Sequence, residues 1–343
     1  MVRNENGDPM TMTRIPNGKP EAPERWLVAA WPGLGQVATT AAVYLLSKLR
    51  MHQVAEFRAR DLFELESVEV NEGLLHAARL PRSRLFLWRN PDGGREIVVF
   101  LGEAQPQTGK LALSQRLIAE SRALNVTRVF TFSAIATEMD PSGPSRTFGI
   151  ASDDGTLDEL KRHGVAALPE GLISGLNGVA LAAAAEAGLP AVGLLGEMPA
   201  VAPQLPCPSA SASVLRVFSD LAGLTLDLGE LEDYGRSMQE QVAQFYEQVN
   251  QVLRGGEPED PEAAAPAEAG TEPRVEPRVE PPREAPLADA VVQDIERLFH
   301  EARGDRARAF VLKKELDRLG VFARYEDRFL NLFEPHEPHE PPA

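Results

Sequence analysis

Among the residues able to do chemistry, a polar set recurs beside glycines: Gly33 and Gly35, then Glu103 and Gln105, then Gly175, Asn177 and Gly178, then Glu197. Carboxylates and carboxamides can hydrogen-bond a polar ligand such as a nucleoside or sugar, and glycines let backbone turn sharply or approach closely. Bond-making needs more than this. Ser133 and Ser174 fall on expected loops, but a serine without a placed histidine is ordinarily a turn residue. His52, His76, His163 and His300 are scattered without metal-ligand spacing, and no HExxH, P-loop or GxSxG pattern occurs. The set therefore points to binding rather than catalysis, with no catalytic residue, metal or cofactor implied. A simpler structural reading stands beside it, in which Glu197 caps an amide of the following proline loop and Asn177 caps its own helix.

The elements around these residues explain why they should converge. Trp26–Trp31 reads as a strand, Pro32-Gly33-Leu34-Gly35 as a tight turn and Gln36–Leu49 as a helix through Val37, Ala41, Tyr44, Leu45 and Leu49. Gly33-x-Gly35-x-x-Ala38 is a degenerate dinucleotide fingerprint, and a plain strand-to-helix turn accounts for it better. Arg84–Trp88, the turn Pro91-Asp92-Gly93-Gly94 and Glu96–Leu101 form a hairpin, which implies a mixed sheet. A polar loop carrying Glu103 and Gln105 follows, then a helix over 109–124 and a strand over 126–132 that ends in the loop Ser133–Glu138. Thr147–Ala151 suits a short strand, and Asp153 or Asp154 suits the N-cap of a helix to Arg162.

Gly171–Pro199 packs one βα unit into a short space. Asn177 is a candidate N-cap, Val179–Ala187 a helix of small residues, Gly188 its stop, and Ala191–Leu195 a strand apolar on both faces. Glu197 should emerge at that strand's carboxyl end, where open α/β sheets place ligand sites. A helix over 209–222 follows a loop broken by Pro203, Pro206 and Pro208. Leu231–Leu253 then carries an apolar stripe through Tyr234, Met238, Val242 and Phe245 that should pack on its own domain.

Composition bounds the rest. Across 343 residues, 51 acidic side chains against 35 Lys and Arg give a formal charge of −16, which argues against nucleic acid or an anionic membrane as partner. One cysteine, Cys207, excludes an internal disulfide and fits a reducing compartment. No run reaches the ~18–20 apolar residues of a membrane span, and the N-terminus has no signal-peptide core, so a soluble cytoplasmic protein is expected. Residues 1–24 read as a disordered leader, 25–254 as the α/β domain, and 255–286 as an acidic Pro/Glu/Ala linker with two copies of Glu-Pro-Arg-Val. Residues 287–333 read as helices too few to hold a secure core alone, which must dock on the main domain or on a partner. Residues 334–343, with His336 and His339, read as a disordered tail.

Four motifs in order resemble the PAC2 family, the proteasome assembly chaperone 2 group: Pro32-Gly33-Leu34-Gly35, Glu103-Ala104-Gln105-Pro106, Gly175-Leu176-Asn177-Gly178 and Leu194-Leu195-Gly196-Glu197. The resemblance spans about 26–253. It implies a three-layer α/β/α sandwich with a mixed, largely parallel sheet, similar to the nucleoside phosphorylase-like fold, with the C-terminal helices added outside it. It also implies a non-catalytic assembly chaperone or protein-interaction module, with protein partners and a homo-oligomer. The alternative is a small-molecule binding protein or enzyme, nucleoside-like or ATP-dependent, using the loops at the sheet's carboxyl end. Family members that engage the proteasome tend to end in a hydrophobic-Tyr-X tail. This sequence ends Pro341-Pro342-Ala343, so direct docking by the C-terminus is not expected.

Overall fold

The buried β-branched and aromatic runs become strands and the spaced leucines and alanines become helices in a computed structural model, which describes residues 23–57, 59–63, 68–71, 73–76, 80–201, 203–255 and 287–334. Nearly all of the expected leader, linker and terminal tail, with His336 and His339, lies outside the described residues. The first half of the chain runs β1 (Arg25–Ala30), α1 (Val37–Lys48), β2 (His52–Phe57), β3 (Glu69–Asn71), β4 (Leu74–His76), β5 (Ser83–Trp88), β6 (Glu96–Gly102) and α2 (Lys110–Ala123). It continues through β7 (Val126–Thr137), β8 (Thr147–Ala151), α3 (Asp154–Arg162), β9 (Ala166–Ala167), α4 (Leu176–Glu186) and β10 (Ala191–Pro199). Helices α5 (Pro208–Ala222), α6 (Gly229–Gly255), α7 (Asp289–Gly304), α8 (Ala309–Arg318) and α9 (Phe322–Leu330) complete it.

Eight strands make one sheet in the order β2-β5-β6-β1-β7-β10-β8-β9, while β3 and β4 pair with each other. The centre, β6-β1-β7-β10, is parallel; β5 and β2 on one side and β8 on the other are antiparallel. Helices cover both faces, as the apolar central strands require. Along β1 the side chains alternate between two cores. Trp26, Val28 and Ala30 face the layer of α1 and α5, and Leu27 and Ala29 face that of α2 and α4. This is the sandwich expected from the sequence.

Three local readings change. The strand β2 was not expected, because a register shift between Gln53 and Ala55 breaks its alternation and, at the edge of the sheet, it pairs with β5 alone. Ser133–Thr137 is not a loop: β7 runs through it, paired with Leu195–Pro199 of a β10 that also continues past its expected end. Asn177 is not an N-cap. Helix α4 starts at Leu176 behind Gly175, whose φ of 75° suits a residue without a Cβ. Asp153 does cap α3, its carboxylate accepting from Thr156 N at 2.9 Å.

The C-terminal helices dock on the chain's own domain. Phe310 of α8 meets Tyr44 of α1 edge to face at 4.6 Å, and Phe333 meets Phe86 of β5 at 6.0 Å. Phe299, Phe310, Phe329 and Phe333 are fully or almost fully buried within the same core as α1 and α5. Burial of each contributes about 1.5–3 kcal/mol relative to exposure. Polar groups set the register of this contact. Ser47 Oγ donates to Arg306 O at 2.9 Å, and the wholly buried Arg84 guanidinium pairs with Asp327 of α9 and donates to Asn331 Oδ1 at 3.1 Å. Arg82 reaches the same Asp327 carboxylate at 2.8 Å. Burial, and then the neighbouring Arg82, hold Arg84 below the usual arginine range, so Asp327 neutralises a charge that is costly to bury.

Candidate functional site

Four parallel strands deliver their following segments to one end of the sheet, where a cleft of about 520 Å³ opens. Gly33 and Leu34 after β1, Gln105 after β6, Ser133 within β7, the loop from Leu168 into α4 and Leu195 of β10 form its walls. Gln105 ties this frame together. Its Nε2 donates to Pro32 O at 2.6 Å and its Oε1 accepts from Leu176 N at 2.8 Å, linking the turn after β1 to the start of α4. The φ of 75° at Gly175 favours glycine there, and a Cβ would stand 2.8 Å from that same Oε1. Across the cleft mouth a Cβ on Gly33 would lie 3.4 Å from Asn177 Nδ2.

Of the residues singled out in the sequence, Gly33, Gln105, Gly175 and Asn177 therefore share one cleft, and Gly35, Glu103, Gly178 and Glu197 do not line it. Gly35 packs against Met198 and Cys207 in the opposite layer. Gly178 lets α4 close on the carbonyl of Ile173. Glu103 accepts from Arg82 N at 2.9 Å and lies 3.9 Å from Arg84, which places it in the ion-pair group that anchors the C-terminal helices.

Glu197 neither caps the proline loop nor faces the cleft. Its buried carboxylate accepts from Arg146 Nε and Nη2, each at 2.6 Å, and from Thr137 Oγ1 at 2.8 Å, while its own N–H donates to Arg146 O at 2.8 Å. The bidentate Arg146 fork, the largest favourable influence, holds its pKa below the usual carboxylate range. A depressed native pKa stabilises the fold above the unfolded carboxylate value of about 4.3 and loses that stabilisation as pH falls through the native one. Glu197→Gln should therefore lower stability at neutral pH and flatten its acid-side decline, as read by thermal melts across pH. An unchanged acid limb would mean that this carboxylate carries none of it. Sequence reasoning did not find Arg146 or Thr137, which lie far from Glu197 in the chain and join it only through the pairing of β10 with β7 and β8.

The cleft carries little that can make or break bonds. Glu170 is the one carboxylate among its described lining residues, and no histidine is among them. His163 is paired elsewhere, with Asp220 at 2.5 Å. Burial pushes the Cys207 thiol above its ordinary value, away from the reactive thiolate, and Cys207 lies outside the cleft. No group of three or more His, Cys, Asp or Glu suited to a metal occurs among the described residues, and no described helix is long and apolar enough to cross a membrane.

The mixed eight-stranded sheet covered by helices on both faces, with strand-end segments meeting at a cleft, defines a three-layer α/β/α sandwich. The chain belongs to the PAC2 family, whose profile matches residues 27–245. Solved structures share the fold. A PAC2 family protein from Streptomyces avermitilis is 24% identical, with 64% of this chain and 95% of that one covered at a TM-score of 0.56. The proteasome-assembly chaperone homologue of Mycobacterium tuberculosis is 20% identical, covering 64% and 94% at 0.56. The archaeal proteasome activator PbaB of Pyrococcus furiosus is 18% identical, covering 69% and 98% at 0.57. A comparison with curated proteins found no match.

Proposed function

We propose that this protein is a non-catalytic assembly chaperone or interaction module that holds protein partners at the carboxyl end of its sheet. One observation carries the reading: large apolar side chains stand exposed there. Leu172 is 100% exposed and Leu34 39% on the cleft rim, and Val201 and Leu205, just beyond the end of β10, are 42% exposed each. Large apolar groups exposed at one end of the sheet suit a protein interface better than bare contact with water. Family membership and the names of the structural relatives, a proteasome-assembly chaperone homologue and a proteasome activator, agree with a role in handling other proteins. The reading extends to self-association through the same rim and to action in the cytoplasm.

The test is a pair of surface changes, Leu34→Asp and Leu172→Asp, in the full chain. Both side chains are exposed, so the melting temperature should stay within a degree or two of the parent. Partner capture and any oligomeric mass above the monomer should fall sharply. Identical capture and identical mass in the double variant would remove the basis of the proposal.

A further inference from the structure

Just ahead of Gln105, at the end of β6, Glu103 stands between Arg82 and Arg84. Its Oε2 accepts from Arg82 N at 2.9 Å and its own N–H donates to Arg82 O at 3.0 Å, which pins the start of the segment carrying Gln105. Its Oε1 lies 3.9 Å from Arg84 Nη2, close enough to attract that guanidinium but beyond hydrogen-bond reach. Arg84 is wholly buried, and a buried charge must be neutralised at close range. Asp327 of α9 does this, accepting from Arg84 while pairing with Arg82 at 2.8 Å. Asn331 accepts from Arg84 Nη1 at 3.1 Å.

The Glu103 carboxylate thus has two arrangements to choose from, on the Arg82 amide as observed or closed onto Arg84. Asp327 decides between them. Were that carboxylate gone, Glu103 is the anion placed to replace it, and closing the gap to Arg84 would draw it off the Arg82 amide together with the segment that follows. Gln105 on that segment holds Pro32 O at 2.6 Å and Leu176 N at 2.8 Å, on the two loops that carry the rim residues Leu34 and Leu172. We propose that Asp327 is a positioning residue for the apolar rim: by neutralising Arg84 it leaves Glu103 to fix the segment from which Gln105 clasps both rim loops. Asp327 lies beyond residues 27–245, so a helix outside the family profile sets the shape of a site within it. For partner binding this rests on the rim being the surface that partners use; the clasp itself does not depend on it.

Amide hydrogen exchange of the full chain reads the clasp directly, because the Leu176 N–H donates to Gln105 Oε1. Asp327→Asn removes the charge and keeps the shape. Exchange at Leu176 should quicken about three- to tenfold, the loss of one neutral hydrogen bond, measured relative to the amides of β7 so that any change in global stability cancels. Arg84→Met combined with Asp327→Asn should bring the Leu176 rate back to that of the parent, because without the buried cation nothing competes for Glu103. A merely structural ion pair would instead leave both variants loosened alike. Three results would overturn the proposal: an unchanged Leu176 rate in Asp327→Asn, equal quickening in the single and double variants, or loss of the fold in Asp327→Asn, since Glu103 should then have taken over Arg84. Partner capture should fall in Asp327→Asn and return in the double variant. Capture by the Leu34→Asp and Leu172→Asp variants tests the rim separately, so the rim can fail as a partner surface while the exchange result stands, and the reverse.

Discussion

Phe310→Ala is expected to cost about 3–5 kcal/mol of stability, the range for removing a buried aromatic ring from a packed core. The ring is fully buried, edge-on to Tyr44 of α1 at 4.6 Å and within 6.4 Å of the Tyr234 ring of α6. It belongs to a helix that sequence composition places beyond the acidic linker, yet its neighbours are central to the main domain. Alanine would leave a hole between three helices that cannot all close on it. Urea denaturation of the full chain should show the midpoint fall in one cooperative transition, since both segments share a core. A loss below about 1 kcal/mol, or two separate transitions, would mean that the C-terminal helices are an appendage rather than part of that core.

Gly196→Val is the second change expected to be severe, at about 3 kcal/mol, the upper end of overpacking costs. A Cβ at this position would stand 2.6 Å from the Ala210 carbonyl oxygen and 2.8 Å from its Cβ. Backbone cannot swing aside as a side chain can, so α5 would have to lift from β10. That movement would disturb Phe218, which packs edge to face with Phe130 at 5.1 Å and with Phe132 at 5.6 Å in the central strand. The same geometry keeps β10 covered beyond Leu195, where the strand had been expected to end. Loss of cooperativity in the thermal melt is the readout, and a valine variant melting like the parent would refute the close approach.

Much of the fold can be read from local pattern, because apolar runs of strand length and helical spacings act over a few residues. The run around Trp26, the hairpin from Arg84 to Leu101 and the cap at Asp153 all formed as their chemistry directs. The elements that escaped were those whose reason is distant. His52–Phe57 is a strand because β5 lies beside it, and its own broken alternation says little. Arg84 gives a faint local signal, a cation within an otherwise apolar strand. Its partners Asp327 and Asn331 lie more than two hundred residues away.

The candidate site divides in the same manner. Residue type and motif order by themselves put Gly33 and Gln105 on segments leaving parallel strands and Gly175 and Asn177 at the entry to a helix, since a glycine turn and a buried run impose that locally. Only tertiary structure decided that these four share one cleft while Glu197, equally polar and equally close to a strand end, is spent on Arg146 and Thr137. Strand order did the sorting: β7, β8 and β10 are neighbours in the sheet, so Glu197 meets a guanidinium delivered by the segment entering β8. Which carboxylate is neutralised, and by which cation, depends on that adjacency, because a charge buried in a low-dielectric interior must find its partner in space, wherever in the chain that partner lies.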